Sequence, residues 1–187
     1  MKGGADRFPR FELSVREEGA KLPVPKKQLE VLTALTFRTA DCEPGDVSLV
    51  VSDDDFITVL NEMYLGAQGP TDVLSFPLRE VPGEKPPRRC SPKISSLRKM
   101  VPETRSSRRR SPITRRSPPG HLGDIVISVD TADLQARAAG KKLAEEFRLL
   151  YLHGLLHLLG FTHDAAQDGA RMSEMQRSIL SGGETAR

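Results

Sequence analysis

The most informative stretch of the sequence is His153-Gly154-Leu155-Leu156-His157-Leu158-Leu159-Gly160-Phe161-Thr162-His163. It contains three of the four histidines of the chain. His153 and His157 are four residues apart, so on a helix their side chains project from one face, one turn apart. Gly160 can adopt the left-handed backbone conformation that ends a helix. His163 follows at a point where the chain can fold back toward the first two imidazoles.

Three convergent imidazoles that leave a fourth position open are typical of a catalytic zinc site. We therefore predict that His153, His157 and His163 bind one divalent metal ion per chain, with Zn²⁺ expected. The ion would lower the pKa of a bound water to about 7, so that hydroxide becomes available as a nucleophile. The same spacing occurs in the metzincin metalloproteases, but Gly154 stands where their motif has its glutamate base.

A general base must therefore come from another part of the chain. Asp164, directly after the third histidine, and Asp124 are the candidates. Asp124 and Asp72 are also candidates for a different role, in which a carboxylate orients a histidine ligand through its ring N–H. His121, the remaining histidine, is expected to be solvated.

Outward from the histidines, the apolar pattern predicts a continuous helix from about Lys142 to Leu159. The apolar run Leu122–Ser128 predicts a strand, followed by a helix whose cap is Asp130 or Thr131. A last helix is expected to begin at Gln167 or Asp168 and to end before Gly182-Gly183.

The first third of the chain alternates strands and helices. Residues 10–16 and 46–52 predict strands, and a helix follows Pro25. Asp53 and its acidic neighbours predict the start of a second helix that ends near Gly66, and a short strand stops at Pro77. Over the whole chain, however, strands and helices do not alternate regularly, so we predict an α+β fold, a small mixed sheet packed with helices, in a single domain spanning residues 1–187.

Composition divides the chain into two electrostatic parts. Residues 85–117 contain twelve Lys or Arg and one acid, a charge of +11, while the remainder carries 16 basic and 24 acidic residues, a charge of −8. Residues 79–119 form an Arg/Ser/Pro-rich insertion without apolar periodicity, which predicts a disordered loop. No apolar run is long enough to cross a bilayer, and the two cysteines have no framework spacing. We expect a cytoplasmic protein without a membrane partner.

Three separated motifs resemble the YbeY family of metal-dependent endoribonucleases. They are Leu60-Asn61, Tyr64 and Pro70–Pro77, then Leu122–Ser128, then His153–His163, and they occur in the order found in that family. The resemblance implies an endoribonuclease specific for single-stranded RNA, with a metal ion held by the three histidines. It also implies ribosomal RNA of the small subunit as the substrate and a role in ribosome maturation.

Two groups of residues are candidates for contacting RNA. Thr71 and Ser75 belong to the first motif and would line a cleft against the sheet, although both are equally expected as turn and strand-end residues. Arg108, Arg109 and Arg110 lie in the insertion, which would attract RNA through its phosphates without selecting a sequence. The alternative interpretation of the insertion is a solvated loop without function.

Two positions depart from the YbeY pattern. The family usually has an arginine after the tyrosine equivalent to Tyr64 and an aspartate before the third histidine, where this chain has Leu65 and Thr162. A leucine cannot supply the charge or the bidentate phosphate contact of an arginine. Two other functions stay open: a metzincin-like metalloprotease, suggested by the histidine spacing, and a non-catalytic, metal-containing ribosome-assembly or RNA-binding factor, favoured by Leu65.

Overall fold

The computed structural model describes residues 10–78, 120–161 and 166–184. Their elements, in chain order, are β1 (Leu13–Glu18), α1 (Lys26–Thr39), β2 (Asp46–Ser52), α2 (Asp54–Leu65), β3 (Val73–Pro77), β4 (His121–Ser128), α3 (Val129–Ala138), α4 (Leu143–Leu158) and α5 (Ala166–Glu184). The insertion predicted at 79–119 lies outside the described residues. Across the described ranges, no helix is both long and apolar enough to cross a membrane.

The four strands form one mixed sheet in the order β1-β2-β4-β3. β1 and β2 are parallel, as are β2 and β4, whereas β3 runs antiparallel to β4 at the edge. Pro77 is the last residue of this edge strand and pairs with Gly123. In an edge strand, the missing N–H of a proline removes no hydrogen bond between the central strands. The mixed sheet with its helices confirms the predicted α+β class.

Alternating side chains give the sheet two apolar faces. On one face, Leu49 of β2 and Ile125 and Ile127 of β4 are buried in the main core together with residues of α1, α4 and α5. On the other face, Val126 of β4 lies in a smaller cluster with Leu74 and residues of α2. The two faces therefore separate α4, which carries two of the predicted metal ligands, from α2.

Helix α4 is buried on most sides, which explains why its sequence from Leu149 onward is apolar apart from Tyr151 and the two histidines. Its phenol group at Tyr151 is fully buried and lies 2.6 Å from the hydroxyl of Thr33 on α1. Because the Thr33 hydroxyl donates to the carbonyl of Leu29, the tyrosine hydroxyl donates to Thr33. Burial raises the pKa of Tyr151 by disfavouring the phenolate.

Gly123 allows the edge strand to approach β4. Its φ is +150°, and an added Cβ would lie 2.2 Å from the carbonyl oxygen of Phe76. Any side chain at this position would push β3 away, and β3 is one of the two strands against which α4 packs.

The structure confirms both predicted boundaries of α2 and corrects one boundary each of α3 and α5. Asp53 caps α2 by accepting from the Phe56 N–H at 2.9 Å, and Gly66 ends it with φ +67°. α3, however, is capped by Ser128, which accepts from the Thr131 N–H, because the helix follows the strand without a loop. α5 continues to Glu184, since two glycines cost a helix only about 1 kcal/mol each and do not force it to end.

Candidate metal centre

The last two turns of α4 hold His153 and His157 side by side. Their ring planes are inclined at 78° with centroids 4.7 Å apart, and their Nε2 atoms are separated by 3.1 Å. Both side chains are half-buried. α4 ends at Leu158, and Gly160, with φ +89°, turns the chain away as predicted.

The separation of the two Nε2 atoms fits a shared metal ion. A tetrahedral zinc ion bound at about 2.0–2.1 Å by two imidazole nitrogens holds these nitrogens about 3.3 Å apart, close to the observed 3.1 Å. The predicted third ligand, His163, lies outside the described residues, as do Thr162 and Asp164. In the described part of the chain, no group of three or more His, Cys, Asp or Glu side chains comes together at one point.

Gly154, between the two histidines, faces the sheet. A Cβ at this position would lie 2.9 Å from Cγ2 of Ile125, 3.0 Å from Oγ of Ser75 and 3.3 Å from Cγ2 of Val73. Glycine therefore lets α4 approach β3 and β4 closely. A longer side chain here would project into the sheet.

Ser75 lies directly beside the helical turn that carries the histidines. Its hydroxyl donates to the carbonyl oxygen of Gly154 at 3.3 Å, and the side chain is half-buried. Thr71 is in the loop before β3, where its hydroxyl donates to Oδ1 of Asp72 at 3.3 Å. Of the two predicted RNA contacts in this motif, Ser75 is thus the one in contact with α4.

Asp72 organises the start of β3. Its Oδ1 accepts from the Val73 N–H at 2.8 Å, and its Oδ2 accepts from the side-chain amide of Gln135 on α3 at 3.0 Å. Its backbone carbonyl accepts from the Ser128 N–H at 3.0 Å. These contacts join β3 to β4 and α3, and they give no support to Asp72 as a group that orients a histidine.

Asp124 lies on the opposite face of the sheet from the histidines. It pairs with Phe76, whose ring packs against Tyr64 of α2. The neighbouring pair, Ser75 with Ile125, lies on the face that α4 covers. Asp124 Oδ1 is 3.6 Å from Nε2 of His121. The structure therefore does not bring Asp124 and the histidine pair together. His121 is also not solvated as expected, because only 14% of its side chain is exposed.

Gln176 is a neighbour of the histidines that the sequence analysis missed. Its side-chain nitrogen Nε2 lies 3.2 Å from Nδ1 of His153. The residue belongs to α5 and shares its inner face with Met172 and Ile179, which are buried. A polar residue inside an otherwise apolar helical stripe was the signal that could have identified it.

The position at which the resemblance predicts an arginine is open to solvent. Leu65 is the last residue of α2, 68% exposed, and it precedes the left-handed Gly66. The preceding Tyr64 packs against Phe76. Arg108, Arg109 and Arg110 lie outside the described residues.

A family model and the sequences of two relatives point to the same family. The family model described as Endoribonuclease YbeY matches residues 16–183. An Endoribonuclease YbeY of Moorella thermoacetica is 37% identical over 176 residues, covering 92% of this chain and 97% of the relative. Another, of Syntrophus aciditrophicus, is 32% identical and covers 88% and 82%. A solution structure of a Thermotoga maritima protein shares the fold, with a TM-score of 0.52 at 22% identity over 90% of this chain and 88% of that one.

Proposed function

We propose that this chain, which belongs to the endoribonuclease YbeY family, cleaves single-stranded RNA in a metal-dependent reaction. The substrate we propose is ribosomal RNA of the small subunit during ribosome maturation. The observation that carries the proposal is the 3.1 Å separation of the Nε2 atoms of His153 and His157 on a buried helix.

We assign the metal to His153, His157 and His163, with Zn²⁺ as the proposed ion. When bound, such an ion supplies an acidified water as nucleophile and an electrophile for a phosphoryl oxygen. The protein's own part is to keep the imidazoles fixed. Helix α4 does this because it is buried among α1, α3, α5 and the sheet and therefore has little freedom to shift.

We assign the remaining roles to residues from other parts of the chain. Ser75 contacts the histidine-bearing turn, which supports a role at the wall of the RNA cleft. For the general base we propose Asp164, adjacent in sequence to His163; the position of Asp124 beside His121 on the other sheet face speaks against that residue. Arg108, Arg109 and Arg110 would contribute attraction for phosphates.

A metalloprotease is the less suitable alternative. Its motif needs a glutamate directly after the first histidine, but that position here faces Ile125, Ser75 and Val73. The non-catalytic alternative rests on a different observation, the exposed Leu65 at the place of the family arginine. Both the non-catalytic factor and the proposed nuclease would bind RNA, but only the nuclease would cleave it.

The test is an incubation of zinc-loaded protein with end-labelled single-stranded RNA, double-stranded RNA and casein. We expect cleavage of single-stranded RNA alone, and its loss in His157→Ala. His121→Ala is the matched control, because it removes a histidine on the opposite face of the sheet. RNA binding without cleavage would favour the non-catalytic factor, and casein cleavage lost in His157→Ala would overturn the proposal.

A further inference from the structure

We propose that Gln176 is a positioning residue that fixes the tautomer and the ring orientation of His153. The inference rests on the proposed metal site and names a residue of α5 that supports it. Its basis is the 3.2 Å contact between the Gln176 amide and Nδ1 of His153, on the side of the ring away from the Nε2 that approaches His157.

The chemistry of imidazole indicates which of the two groups donates the hydrogen bond in this contact. A neutral histidine carries its proton on one nitrogen and a lone pair on the other. For Nε2 to bind a cation, the proton must be on Nδ1, and that N–H then needs an acceptor. By rotating about its last side-chain torsion, the amide of Gln176 can present its carbonyl oxygen to Nδ1. In the metal-binding state the oxygen therefore accepts from Nδ1–H, and Nε2 keeps the lone pair that can bind a cation.

The surroundings of Gln176 hold the amide in place. Met172 and Ile179, one turn before and one turn after it on α5, are buried in the main core. Met175, beside it, is packed against the same core. The side chain of Gln176 is half-buried, so its amide has fewer competing water partners than at the surface. α5 also packs against α4 and α1, which fixes the distance from its inner face to the histidine.

A neutral amide differs from the carboxylate that often accepts from metal-binding histidines. It orients the ring without adding negative charge to the site. A carboxylate at the same position would keep the acceptor, whereas an apolar side chain of equal length would remove it. Removal of such an outer partner typically lowers metal affinity by about 10- to 100-fold.

The test compares zinc affinity in Gln176→Met, Gln176→Glu and the wild type by competition with a chromophoric chelator. Methionine has nearly the same length and suits the apolar stripe, so the variant is expected to fold, which thermal unfolding of the metal-free protein checks. We expect Gln176→Met to bind zinc about 10- to 100-fold more weakly and Gln176→Glu to bind it as tightly as the wild type or tighter. Gln68→Met, the same change at an exposed loop position, should leave the affinity unchanged.

A second readout follows the ring itself. In ¹⁵N-labelled, zinc-loaded wild type, the Nδ1 proton of His153 should be protected from exchange with solvent, and the protection should be lost in Gln176→Met. Equal zinc affinity of Gln176→Met and wild type would overturn this inference while leaving the metal site intact. A wild type that binds no zinc would instead overturn the proposed metal site, and this inference with it.

Discussion

The hydroxyl of Ser75 on β3 donates to the carbonyl oxygen of Gly154 on α4 at 3.3 Å. The contact lies where the helix approaches the sheet closely enough to require a glycine. The contact therefore fixes the distance between the histidine-bearing turn of α4 and the edge strand β3. The positions of the imidazoles depend on this packing, because α4 cannot move away from β3 without moving His153 and His157 as well.

Gly154→Ala tests how closely the helix and the sheet are packed. The new methyl group would lie 2.9 Å from Ile125 Cγ2 and 3.0 Å from Ser75 Oγ. Overpacking of this kind costs about 1–3 kcal/mol, and the better helix propensity of alanine returns about 1 kcal/mol. We expect a net loss of about 1 kcal/mol in the free energy of unfolding, measured in urea. A more stable variant would contradict the close packing described at this position.

Gly154→Glu tests the protease alternative directly. The change restores the H-E-x-x-H sequence, but the carboxylate would project into the sheet beside Ser75 and Val73. We expect a strongly destabilised protein without peptidase activity, since burial of an unpaired charge is costly. Casein hydrolysis by a folded Gly154→Glu protein, absent from the wild type, would show that this position reaches the reaction centre.

Leu65→Arg introduces at the end of α2 the charge that the resemblance to the YbeY family predicts at this position. We expect tighter binding of single-stranded RNA and a slope of log affinity against log salt that steepens by about 0.7, the value for one added phosphate contact. Leu134→Arg is the matched control, because Leu134 on α3 is 67% exposed and Leu65 is 68% exposed. An equal effect of both substitutions would assign the gain to net charge and not to this position.

Replacement of residues 85–117 by a Gly/Ser segment of equal length tests the basic insertion. The segment carries a charge of +11, and the remainder of the chain carries −8. We expect RNA affinity to fall and its salt dependence to become shallower, because fewer phosphate counterions are released on binding. Zinc content should not change, since the three predicted ligands are outside the segment. Unchanged affinity across a salt titration would exclude a role for the insertion in RNA binding.

Tyr151→Phe tests whether the hydrogen bond between Tyr151 and Thr33 affects only the stability of the fold or also RNA cleavage. The substitution removes the hydrogen bond to Thr33, while Thr33 keeps its own bond to the Leu29 carbonyl. We expect a loss of about 1 kcal/mol in the free energy of unfolding and unchanged RNA cleavage at temperatures well below the unfolding transition. A large loss of cleavage in the folded variant would mean that the Tyr151–Thr33 contact also positions the histidines.

Sequence reasoning succeeded where the cause of a structure is local. The Asp53 cap and the Gly66 terminus depend on hydrogen bonds and backbone angles within a few residues, and both were predicted. The helix predicted at about 142–159 was also correct, because a long apolar run bounded by a turn has few alternatives. The convergence of the His153 and His157 rings followed from their spacing of four.

The errors and omissions concern contacts between distant elements. Gln176 is 23 residues from His153, and their contact depends on how α5 folds back across α4. The face on which Asp124 lies depends on its pairing with Phe76. β4 is apolar on both faces, so its sequence lacks the alternation that would have indicated which side chains face α4.

The antiparallel pairing of β3 with β4 has a consequence for how this protein can vary. Pro77 stands opposite Gly123, and the Leu78 N–H donates to the carbonyl of Leu122 at 2.8 Å, so both ends of the connection are held side by side. The entropy of closing a loop grows only with the logarithm of its length, and doubling the length costs about 0.6 kcal/mol. The length of the chain between β3 and β4 can therefore change at little cost in free energy, while the sheet and α4 keep their positions.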